Sequence, residues 1–172
     1  LADWKADVFQ GFSEAPRPYT VGHPKAHYTE LPARDAVASG SIKRSSIHPN
    51  SSFFTHWTST DDLIEWPVAV IESGEFEVEV YYTCPPESVG TRLQLEFGNE
   101  RLIAKVEEAF ESELRGAAYD RSPRTESYMK DFKPLRMGRI YLPKGTGTLR
   151  LRATQLSGPE AIDFRTLLLV QP

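Results

Sequence analysis

The 172-residue sequence has one cysteine, Cys84. A single thiol excludes an internal disulfide and any cysteine-cluster metal site, and it leaves the redox compartment open. No apolar run approaches the roughly 18 residues that a membrane-spanning helix needs, so no helical span is expected. The first residues lack the basic-then-apolar layout of a signal peptide, and a start at Leu1-Ala2-Asp3-Trp4 reads as a mature product or a piece of a longer chain. Positive charge is not in excess either: 20 Lys and Arg stand against 24 Asp and Glu, a net charge of −4. The basic stretch Arg115, Arg121, Arg124, Lys130 and Lys133 is interleaved with Asp120, Glu126 and Asp131, which argues against a nucleic-acid partner.

With 40% apolar and 26% charged residues, the composition is that of a globular protein, and the length suits one well-buried core. Leu1, Trp4 and Val8 fit one short amphipathic helix over Leu1 to Phe9. After Gly11, Pro16, Pro18, Pro24, Pro32 and Pro49 interrupt any regular pattern, so residues 11–52 are expected to form an ordered but irregular arm that lies against something. The expected division is therefore 1–52, a remnant of an upstream domain plus a connector arm, and 53–172, a β-sandwich.

From Trp66 onward the apolar residues recur every second position. Phe76, Val78, Val80 and Tyr82 alternate with Glu75, Glu77, Glu79 and Tyr81, and Leu93, Leu95 and Phe97 with Arg92, Gln94 and Glu96. Each run reads as a strand with one buried and one wet face. Arg139 to Leu142, Thr148 to Ala153 and Leu167 to Val170 continue the series, punctuated by glycines at hairpin spacing. The expectation is all-β: an antiparallel sandwich of jelly-roll, galactose-binding-like type. Around Ala104 to Leu114 helical and strand spacings compete; the reading is strand to about Val106, then loop. Gly116 to Pro134 is a long connection of the kind that often carries function.

The four histidines, His23, His27, His48 and His56, all lie in the arm or at its junction, with no Gly-x-Ser-x-Gly elbow to present a serine to them. Pro24 separates His23 from His27 and removes the helical spacing a metal pair would use. Asp61 and Asp62, in a Ser/Thr-rich loop before a strand, suit a structural calcium site; the competing reading is that they cap the loop. The carbohydrate-binding candidates are Trp57, Tyr119, Arg121, Arg124, Tyr128 and Lys130: flat rings for sugar faces beside cations for hydroxyls and sulfates. The competing reading places Trp57 and Tyr128 in the core and pairs Arg121 and Arg124 with nearby acids.

Several further segments stand out: Pro18-Tyr19-Thr20-Val21-Gly22-His23-Pro24, Leu31-Pro32-Ala33-Arg34-Asp35, Ile42-Lys43-Arg44-Ser45-Ser46 and Asn50-Ser51-Ser52-Phe53. With Trp57 to Trp66, Gly74 to Val78, Tyr81 to Cys84 and Asp120 to Phe132, they resemble the C-terminal β-sandwich domain of bacterial arylsulfatase-type sulfatases, especially the larger ones acting on sulfated polysaccharides. Gly74 to Tyr82 alone is also similar to galactose-binding-like carbohydrate modules. The resemblance implies a non-catalytic accessory domain that binds polysaccharide or sulfated glycan, or walls the cleft of an upstream sulfatase catalytic domain, in a periplasmic or secreted protein. The formylglycine motif of sulfatases, Cys/Ser-x-Pro-x-Arg, fails here: Cys84-Pro85-Pro86-Glu87-Ser88 has Ser88 where Arg is required. The alternative is a purely structural domain packed on that catalytic domain. A jelly-roll lyase would need a convergent Tyr/His/Arg cluster on a sheet face, and only His56 is near the sandwich in sequence.

Overall fold

The computed structural model describes residues 17–122 and 124–172. Leu1 to Phe9, where a helix is expected, lies outside the described residues. In chain order the strands are β1 (Tyr19–Val21), β2 (Tyr28–Pro32), β3 (Val37–Ser39), β4 (Lys43–Arg44), β5 (Phe54–Thr55) and β6 (Leu63–Val70). They continue with β7 (Gly74–Thr83), β8 (Arg92–Phe97), β9 (Glu100–Lys105), β10 (Lys133–Leu142), β11 (Gly145–Gln155) and β12 (Asp163–Val170).

These strands form two six-stranded sheets. One runs β1-β6-β11-β8-β9, with β3 also on β6; the other runs β10-β7-β12-β5-β4, with β2 also on β12. The all-β sandwich expected from the sequence is therefore the fold. The alternation fixes which side of each strand is inside: Phe76, Val78, Val80 and Tyr82 are buried on β7, while Glu77 and Glu79 face out and pair with Arg139 and Arg136 of β10. Ile64, Trp66, Leu95 and Leu151 oppose them from the other sheet, each worth roughly 1.5–3 kcal/mol on burial. Phe164 joins the layers, stacked on Phe54 at 6.4 Å and tilted against Trp66 at 5.7 Å. Gly98, at φ +60°, opens the two-residue turn between β8 and β9, where a type II′ hairpin requires a positive angle.

Two expectations are corrected. The arm before residue 53 is woven into both sheets: β1 pairs in parallel with β6, β3 pairs with β6, and β2 pairs with β12 over Thr166 to Val170. A boundary at 52/53 therefore cuts through hydrogen-bonded sheet. Pro32 ends β2 on an exposed edge, where a missing N–H costs nothing, so the prolines shorten these strands without preventing them. Secondly, the alternation expected from Trp66 onward already begins at Ile64, because Ile64, Trp66, Val68 and Val70 alternate inward along β6. The strand expected to run to about Val106 is β9, which ends at Lys105.

Candidate functional site

The segment from Val106 to Phe132 folds over the end of the sandwich where β7 stops and β12 begins. Its limbs are fastened to the body and to each other. Phe110 and Cys84 exchange backbone hydrogen bonds at 2.8 and 2.9 Å, the Arg115 N–H donates to the Met129 carbonyl at 2.7 Å, and Arg115 pairs with Asp131 at 2.6 Å. A loop tied at this many points presents its side chains in fixed positions.

Lys130 is the deepest of these ties. Its ammonium pairs with Asp163 and donates to the Thr83 hydroxyl at 2.8 Å, with only 9% of the side chain exposed. It also lies 4.5 Å from the Phe53 ring centroid and 5.3 Å from that of Phe132, and the two rings meet edge to face at 5.5 Å. On the outer side of this pair is a cleft of about 250 Å³ whose wall includes Glu111, Glu160 and Cys84. Burial first, then the carboxylates of Glu87 and Glu111, push the Cys84 thiol up to about 11, so it is protonated and unreactive at neutral pH.

The tip of the loop has a different chemistry. The Arg124 guanidinium bridges the Asp120 carboxylate, with Nε 2.5 Å from Oδ2, and stacks over the Tyr128 ring at 4.9 Å. Asp120 is held below the ordinary carboxylate range by the hydrogen bond from Arg124 first and by Tyr128 second, and the Tyr128 phenol is raised chiefly by its bond to Asp120. Gly116, at φ +81°, turns the chain into the short 3-10 turn Ala117–Tyr119, which leaves Tyr119 90% exposed, and Arg121 is exposed beside it. Phe53, Leu114, Arg124 and Tyr128 line a cleft of about 170 Å³ here.

Of the six sugar-binding candidates, Arg124 and Tyr128 stack on each other at the loop tip, and Tyr119 and Arg121 are exposed on either side of the Asp120 that pairs with Arg124. Lys130 is drawn under the loop as an anchor. Trp57 is withdrawn entirely: it is 0% exposed, packed in the core, and its carbonyl accepts the Ala161 N–H at 2.7 Å. A ring with no accessible face cannot stack on a sugar, so the competing reading, a core tryptophan, is the correct one for Trp57. Arg124 pairs with a nearby acid as that reading also proposed, yet it remains half exposed.

Asp61 and Asp62 do not act as a pair. Asp62 is buried, and its carboxylate accepts the Ser41 N–H at 2.9 Å, the Ser41 hydroxyl at 2.5 Å and the Ser59 N–H at 3.1 Å. It occupies the space beside Gly40, where a Cβ would lie 1.8 Å from Oδ1. Asp61 is exposed and its N–H donates to the Ser59 hydroxyl. The geometry is that of a loop staple, the capping role that the sequence also suited; among the described residues no three His, Cys, Asp or Glu side chains converge.

Partners that sequence reasoning missed lie on the 45–53 segment. The Ser45 and Ser127 hydroxyls meet at 2.5 Å and the Ser46 hydroxyl donates to the Thr125 carbonyl at 2.9 Å, which seals this segment to the loop tip. Pairs 79 and 82 residues apart leave no local signal in the chain.

No family model and no curated protein matches this sequence. Solved structures do match. The CBM35 from Cellvibrio japonicus Abf62 is similar at 15% identity with a TM-score of 0.55, over 84% of this chain and 93% of that one. The C-terminal CBM6 of LamC, a marine laminarinase from Zobellia galactanivorans, matches at 10% identity and 0.57, over 84% and 99%. The Cry4Aa mosquito-larvicidal toxin from Bacillus thuringiensis matches at 12% identity and 0.61, over 89% of this chain and 24% of that one. The chain spans about a quarter of the length of the larger structures it matches. At these identities the likeness is one of fold.

Proposed function

We propose that this chain is a non-catalytic carbohydrate-binding domain whose ligand is a sulfated glycan, held at the loop tip by Tyr119, Arg121, Arg124 and Tyr128, and that its parent is a sulfatase. The observation that carries the reading is the Arg124 guanidinium stacked on Tyr128 beside an exposed Arg121 and Tyr119. A flat ring offers a face to sugar C–H groups, and guanidinium groups pair with sulfate oxygens in a fixed, forked geometry. The CBM6 and CBM35 neighbours, matched over nearly their whole length, support the carbohydrate reading. The sulfatase parent, and with it a periplasmic or secreted location, rests on the sequence resemblance alone.

Affinity electrophoresis and calorimetry on the folded chain, with sulfated and neutral polysaccharides, test the binding. Retention at millimolar affinity or better is expected for a sulfated polymer, weakened by Arg121→Ala/Arg124→Ala. Equal retention of the double variant, with its fold intact, overturns the site. A Cys/Ser-x-Pro-x-Arg motif in the upstream coding sequence is the expected mark of a sulfatase parent, and another catalytic domain there would rule it out.

The alternative is a domain that only packs on a catalytic neighbour; Val37 and Ile103, 63% and 52% exposed at opposite sides of the β6 sheet's outer face, stand singly and form no apolar patch for it. No glycan retention at all would leave this reading standing.

A further inference from the structure

We infer that the glycan site does not end at the loop tip but continues as a groove to Lys43, Arg44 and Ile47, so that the chain binds an extended anionic oligosaccharide across both ends. This rests on the carbohydrate reading above. The cleft at Arg124 and Tyr128 and a second, shallow depression of about 670 Å³ at Lys43, Arg44 and Ile47 share two lining residues, Ser45 and Thr125. The ridge between them is fixed: the Ser45 and Ser127 hydroxyls meet, and the Ser46 hydroxyl holds the Thr125 carbonyl. The two depressions therefore form one surface that does not need to rearrange to be occupied together.

Its charge is opposite to that of the chain as a whole, which is −4. Glu126 is the one carboxylate in the two linings, against Lys43, Arg44 and Arg124. Asp120 compensates Arg124, but among the described residues Lys43 and Arg44 have no acidic partner. Arg44 is held in place by donating to the Ala36 carbonyl at 3.1 Å and by lying 5.2 Å from the Phe54 centroid; Lys43 stands exposed on the same two-residue edge strand. Ile47, 86% exposed, supplies an apolar contact at this end, and the Tyr128 ring lines the other. Cations at both ends, hydroxyls along the ridge and an apolar contact at each end match a sulfated chain longer than one disaccharide.

The experiment is calorimetric titration of the whole chain with size-fractionated di- and hexasaccharides from κ-carrageenan, chondroitin sulfate and dextran sulfate, and with the desulfated hexasaccharides. The wild type is expected to bind a sulfated hexasaccharide about tenfold or more tighter than the matching disaccharide, with affinity falling as salt rises. Lys43→Glu and, less strongly, Ile47→Ala should remove that advantage; Lys43 lies on the surface, and far-UV circular dichroism checks that both variants fold. Equal wild-type affinity for both lengths, or Lys43→Glu within twofold of wild type on the hexasaccharide, overturns the extended groove while leaving the loop-tip site intact; equal affinity for the desulfated hexasaccharide overturns the sulfate reading of both. Failure to bind any of the sugars overturns both.

Discussion

Lys130 of the long loop and Asp163, the first residue of β12, form an ion pair across 33 residues of sequence, roofed by the rings of Phe53 and Phe132. This pair decides how the loop tip is held, because it fixes the chain two residues after Tyr128. Lys130→Met keeps the packing against the rings but leaves Asp163 with the Thr83 hydroxyl alone. The expected cost is about 1–3 kcal/mol in urea unfolding, below that of a fully buried pair because Asp163 is partly exposed. The loop should also become the first site of limited proteolysis. An unchanged cleavage pattern would show that the loop is held by its other ties.

Trp57 tests the core assignment. Trp57→Ala is expected to cost about 3–5 kcal/mol, the range for emptying a large buried aromatic site. Trp57→Phe should cost clearly less, because the indole N–H has no hydrogen-bond partner to lose. Denaturant midpoints distinguish the two, and a stable Trp57→Ala protein with weakened glycan retention would restore a binding role.

Asp62 is expected to behave as a staple and not as a metal ligand. Asp62→Ala frees the Ser41 and Ser59 N–H groups together and should lower stability by about 2–4 kcal/mol. Chelation with EDTA should leave the melting temperature of the wild type where it was. A drop on chelation, reversed by calcium and absent in Asp62→Ala, would reinstate the cation.

The loop tip carries a pH dependence with a defined sign. Because the folded Asp120 carboxyl lies below its ordinary value, its tie to Arg124 is fully present above the ordinary carboxylate range and is lost as pH falls through the depressed folded value. Carboxyl carbon NMR should show Asp120 titrating below the ordinary carboxylate range, and Arg124→Ala should return it toward the ordinary value. Coincident titrations in wild type and variant would remove Arg124 as the cause.

The sandwich was legible because β7, β8 and β11 alternate without interruption, and the side that alternation buries is the side found inside. The first half of β6 was not, since the polar run Thr58 to Asp62 continues into it and Pro67 interrupts its reading. The short strands β1 to β5 run two to five residues among prolines, and what makes them strands is the neighbour each one finds, a property of the fold and not of the segment. The loop tip was readable as a concentration of aromatic and cationic residues. The roles within it were not: Lys130 and Arg124 look alike in sequence, and only the position of Asp163 sends one under the loop and leaves the other at the surface.

The place of β12 governs the order in which the molecule can be assembled. The strand at Asp163 to Val170 is bordered by β7 on one side and by β2 and β5 on the other. Until it leaves the ribosome, β2 has no partner, the inner face of β7 lacks Leu167 and Leu169 beside it, and Lys130 has no counter-ion. Closure is therefore a late, long-range event, as expected for a topology that joins residue 28 to residue 170, and the nascent domain must keep Phe76, Val80 and Trp66 from other chains while it waits.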